Sequence, residues 1–121
     1  FHDTLRINTA MMLELMKRTV DGTIELADNR LSMFSAQEGK CAVTGELFNN
    51  PEEVYCHHIV PLSKGGNDAY QNLILIKTAV IPMLQDVDKE LLKQYVGKLG
   101  LKKKGIGKVN YLRHRLGMES V

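Results

Sequence analysis

The sequence predicts an α+β domain, a small β hairpin core flanked by helices at both ends. Apolar residues recur at helical spacing toward both ends of the chain, whereas the middle is β-prone and broken by Gly, Asn and Pro. Size agrees: 121 residues suffice for one ordinary domain with its own core and leave little room for two.

The elements follow in order. Asn8 or Thr9 can cap a helix running through Arg18, with Met12, Leu13, Leu15 and Met16 on its apolar face. Asp21-Gly22 breaks that pattern. A second helix is expected from about Asp28 or Asn29, turning Leu31, Phe34 and Met33 inward until Gly39 stops it. Cys41-Ala42-Val43-Thr44-Gly45 and Val54-Tyr55-Cys56-His57-His58-Ile59-Val60, separated by Asn49-Asn50-Pro51, fit a hairpin with an irregular loop. Pro61 and Lys64-Gly65-Gly66-Asn67-Asp68 form a loop, and Asn72-Leu73-Ile74-Leu75-Ile76 follows. Asp88 can cap a helix carrying Leu91, Leu92, Tyr95 and Val96, and a last basic helix is expected around Gly107 to Leu116, with Val109, Leu112 and Leu116 on one face. The organisation expected is a helical lead over 1–38, a hairpin core over 39–88 and a basic helical tail over 89–121.

Composition excludes some classes. The 44% hydrophobic and 25% charged shares are those of a soluble globular protein, and no apolar run approaches the roughly 20 residues that span a bilayer, so no membrane partner is expected. The first residue is Phe1 and no signal segment is recognisable, which fits a piece cut from a longer protein. The net charge of +2 says little, but its placement is uneven. Lys98, Lys102, Lys103, Lys104, Lys108, Arg113 and Arg115 face only Glu119 in the last stretch, a tail suited either to phosphates or to a solvated helix face. Two cysteines, Cys41 and Cys56, permit one disulfide or two thiols; in a reducing compartment they pack as small apolar groups.

The chemistry concentrates at His57-His58. Hydrolysing a phosphodiester takes a base to activate water and a cation to neutralise developing charge. Neighbours on an extended strand point to opposite faces, so one histidine can bind metal while the other handles protons.

His57-His58-Ile59-Val60-Pro61, Lys64-Gly65-Gly66 and Asn72-Leu73-Ile74-Leu75, with Gly39-Lys40-Cys41 and Gly45 upstream, resemble the signature of the HNH endonuclease family in residue type and order. The resemblance implies a ββα-metal core with one divalent cation, Mg²⁺ or Mn²⁺, in which His58 matches the general base, His57 the metal-binding position before it, and Asn72 the asparagine that pins the base loop. Asp28-Asn29-Arg30-Leu31-Ser32 and the stretch from Lys98 to Glu119 are similar to the C-terminal region of bacterial group II intron proteins. That similarity implies a cytoplasmic bacterial protein in which the lead over 1–38 is a helical DNA-binding-type segment and this chain nicks a DNA target while the rest of a larger reverse transcriptase/maturase holds intron RNA. Lys64, Lys102, Lys103, Lys104, Lys108, Arg113 and Arg115 would then meet nucleic acid.

The chain departs from the family where the metal site closes. The histidines expected nine and thirteen residues after Asn72 are Ile81 and Gln85. Isoleucine has no lone pair, whereas Gln85 or Asp86 offers an oxygen acceptable to Mg²⁺. Pro82 distorts the helix that should carry these ligands. A four-cysteine structural zinc site is not expected, because Thr44 stands where the second cysteine of a pair would follow Cys41. The alternatives to an impaired endonuclease are a nuclease-dead DNA-docking domain of the same kind of protein, or an interaction domain that kept only the fold.

Overall fold

The computed structural model describes residues 24–121. Helix α1 (Ile24–Ala36) leads into a turn, then strand β1 (Val54–His58), a loop, strand β2 (Leu73–Lys77), a seven-residue 3-10 helix (Thr78–Leu84) and two helices, α2 (Lys89–Lys98) and α3 (Lys103–Arg115). The helix expected over 8–18 lies outside the described residues. No helix among the described residues is long and apolar enough to cross a membrane.

β1 and β2 pair antiparallel, with His57 opposite Ile74 and His58 opposite Leu73. This corrects the expected hairpin, in which Cys41–Gly45 was the first strand. Leu73, Ile74, Leu75 and Ile76 are all buried, as suits a strand covered on both faces. Cys41–Gly45 instead forms a tight turn, extended only at the bridge between Lys40 and Leu47. The Cys41 sulfur accepts N–H bonds from Thr44 at 3.4 Å and Lys77 at 3.2 Å, which ties the turn to the end of β2.

The other edge of β2 is closed by a side chain. Just beyond α1, Gln37 accepts the Leu75 N–H through Oε1 at 2.9 Å and donates from Nε2 to the Leu75 carbonyl at 2.9 Å. The amide thereby does the work of a strand residue, giving the Leu75 N–H its acceptor at this edge, while the Leu75 carbonyl also accepts the Ala42 N–H at 3.1 Å. α1 already runs at Ile24, so Asp28 and Asn29 lie inside it rather than capping it. It ends where Glu38 and Gly39 take positive φ and the Gly39 N–H reaches back to the Phe34 carbonyl at 3.0 Å.

One cluster of buried side chains draws on every part of this arrangement, from Phe34 and Phe48 through Leu75 and Met83 to Leu92, Val109 and Leu112. Asp88 caps α2 as expected, its carboxylate accepting the Leu91 N–H at 2.8 Å. α3 begins earlier than expected, at Lys103, with Gly105 and Gly107 inside it. Gly105 is there for space, since a Cβ would stand 2.4 Å from the Val43 carbonyl oxygen.

Candidate active site

Strand alternation puts the two histidines on opposite faces of β1. His57 shares its face with Tyr55, whose ring centre lies 6.3 Å from the imidazole. It is 7% exposed, burial pushes its pKa down, and the neighbouring His58 pushes it the same way. Its Nε2 is buried without a hydrogen-bond partner among the described residues.

His58 emerges on the α1 side, and there the ring meets a carboxylate. Its Nε2 lies 2.9 Å from Asp68 Oδ1, with side-chain exposures of only 20% and 13%. Cys56 shares this face two residues back. Its thiol is pushed up to about 11, mainly by burial, while Arg30 pulls it down and Asp68 adds to the rise. A thiol so protonated is a packing group and a poor nucleophile.

The loop that carries Asp68 is pinned by Asn72, whose side chain accepts the Val60 N–H at 2.8 Å and donates to the carbonyls of Val60 at 3.0 Å and Asn67 at 2.8 Å. Every polar atom of that amide is thus used to join the segment leaving β1 to the segment entering β2. α1 adds a tether from the other side, Asn29 Nδ2 donating to the Asp68 carbonyl at 2.9 Å. Sequence reading passed over Asp68 because a short acid after Gly-Gly-Asn reads as turn chemistry, and nothing in the spacing links it to a histidine ten residues earlier.

The metal half is built differently. Pro82 sits inside the 3-10 helix that follows β2, and Ile81 from that helix packs against the core. Gln85 is the residue at which that helix ends. Its side chain is exposed, and its backbone carbonyl accepts from Arg113 Nη1 at 3.1 Å. Among the described residues no three of His, Cys, Asp and Glu lie together so as to hold a metal ion. HNH domains typically use a divalent cation; here His57 offers one orphaned nitrogen and the residue expected beside it is hydrocarbon, so the residues present do not fit the group.

The basic residues part company. Lys102, Lys104 and Lys108 line one concave surface of about 440 Å³ together with Thr44 and Gly45. Lys64, Lys103 and Arg115 are exposed elsewhere. Arg113, expected to face phosphates, is instead 4% exposed, its guanidinium donating to the carbonyls of Met83, Gln85 and Glu119.

Residues 40–77 match a family model described as HNH endonuclease. The match takes in the Cys41 turn, both strands and the loop between them, and it supports nuclease function in general for this segment. No curated protein matches the chain, and no solved structure does.

Proposed function

We propose that this chain is the DNA endonuclease domain of a bacterial group II intron reverse transcriptase/maturase, a cytoplasmic protein whose remaining parts hold the intron RNA, and that its nicking of the target strand is impaired. The observation that carries the nuclease reading is the His58 ring held beside a carboxylate on a loop pinned by Asn72. In the reaction, water's oxygen bonds to phosphorus as the bond to the leaving oxygen breaks, and His58 takes the proton. A Mg²⁺ or Mn²⁺ ion supplies charge neutralisation at the leaving oxygen in such domains. Among the described residues no donor set for it comes together, which supports the impaired reading. Lys102, Lys104 and Lys108 support docking on the DNA backbone.

The second reading, a DNA-docking domain without cleavage, is favoured by Ile81 and Pro82 in the 3-10 helix. A supercoiled-plasmid assay with Mg²⁺ or Mn²⁺ separates the two. Slow nicking by the parent that disappears in His58→Ala and rises in Ile81→His supports the enzyme. Equal nicking by parent and His58→Ala removes it. A silent parent that binds duplex DNA supports docking, and a parent that neither cuts nor binds removes both.

Binding carries its own signature. Replacing Lys102, Lys104 and Lys108 together by Gln is expected to reduce the slope of log affinity against log salt by about 2 to 3, since each phosphate contact contributes about 0.9. The same substitution at Arg113 is expected to leave the slope unchanged.

A further inference from the structure

We propose that Asp68 is the positioning residue that makes His58 a base, by fixing which ring nitrogen carries the proton. The inference rests on the reading of His58 as a nuclease base and adds a residue to it.

An ionised carboxylate has only acceptor sites, so a ring nitrogen 2.9 Å from it must carry hydrogen. In the neutral ring that leaves the lone pair on Nδ1. Without a partner, both tautomers are populated and the ring turns freely about its side-chain bonds, so a lone pair is at the working position only part of the time. Burial of both groups strengthens the effect, because a charge-assisted bond shielded from water is stronger than an exposed one.

The backbone that carries the carboxylate is itself held on both sides. Asn29 of α1 fixes the Asp68 carbonyl, Asn72 fixes the carbonyl of Asn67 before it, and the Asn67 side chain accepts the Ala69 N–H at 3.1 Å. His57 gives the contrast within the same strand, its Nε2 meeting nothing among the described residues. When water is activated, its proton passes to Nδ1 of His58 and its oxygen to phosphorus. The ring becomes a cation beside Asp68, which stabilises it without taking the proton.

Nitrogen-15 NMR of the imidazoles in the full chain, at a pH where the ring is neutral, reads the tautomer directly. The parent is expected to show His58 protonated at Nε2 and bare at Nδ1, and Asp68→Ala to show both tautomers. Asp68→Asn, an isosteric change that protects the fold, is expected to lower the Nε2–H share as well, because an amide offers the ring a donor or an acceptor. In the plasmid assay Asp68→Ala is expected to nick about 100-fold more slowly, and His58→Ala with Asp68→Ala no more slowly than His58→Ala alone. A parent ring protonated at Nδ1, or a tautomer ratio unmoved by both substitutions, overturns the proposal. A parent that does not nick overturns the nuclease reading, and the tautomer result still decides the role of Asp68.

Discussion

Arg113→Met is expected to unfold about 15 °C below the parent, a loss of about 3 kcal/mol in a domain of this size. Arginine at this position looked in the sequence like one more cation in a basic tail. In the structure its side chain is 4% exposed and bridges three pieces of chain. Nη1 donates to the carbonyls of Met83 at 2.7 Å and Gln85 at 3.1 Å, where the 3-10 helix ends, and Nε donates to the carbonyl of Glu119 at 2.7 Å, in the segment after α3. Methionine matches the volume and fills the space, but it withdraws the guanidinium donor from all three carbonyls, of which Gln85 keeps its bond from the Val87 N–H at 2.9 Å. Each bond from a charged group contributes about 1.5 to 3 kcal/mol, and water can reach the two partly buried oxygens, so the net loss falls below the sum. Arg113→Lys is expected to recover little of it, because one ammonium cannot reproduce a planar fork aimed at separate acceptors. Thermal denaturation followed by circular dichroism checks both. If Arg113 instead met phosphates in solution, the Met variant would melt with the parent and bind DNA with a shallower salt dependence.

The same contrast explains what could be read from the sequence. Periodicity placed α2 and its Asp88 cap correctly, because capping is a local matter that five residues decide. The α+β arrangement was legible for a similar reason, since the β-prone residues of Val54–His58 form a strand in the middle of the chain with helices on both sides. Pairing was not legible. Cys41–Gly45 was expected to pair with Val54–Val60, whereas Leu73–Lys77 lies beside β1; the turn instead meets the other edge of β2 through the Gln37 amide, the Ala42 N–H and the Cys41 sulfur, contacts between residues far apart in the chain. At the site, His57 and His58 stood out by type, and alternation correctly put them on opposite faces. Asp68 did not stand out, because a contact across a loop has no period. Arg113 failed the same way: charge says nothing about burial when the partners are backbone carbonyls, which every sequence supplies.

Gly66→Ala is expected to cost the site its geometry while sparing the hairpin. A Cβ at Gly66 would stand 1.8 Å from the Val60 carbonyl oxygen and 2.8 Å from that of Pro61, both backbone atoms with no rotamer to escape into. Val60 cannot retreat, because Asn72 holds both its N–H and its carbonyl. The loop must therefore move as a body, and it carries Asp68 away from His58. A displacement of 1 Å is enough to slow a positioned reaction about 100-fold, so nicking is expected to fall by that order while the β1 and β2 amide signals stay in place. Gly65→Ala provides the control. Gly65 has φ of 90°, which strains any other residue, yet nothing lies within 4 Å of where its Cβ would be. That variant is expected to lose about 1 kcal/mol of stability through backbone strain and to keep the Nε2–H tautomer of His58. If Gly66→Ala also kept the tautomer and the nicking rate, the close approach of the two loop segments would have no part in holding Asp68 against the ring.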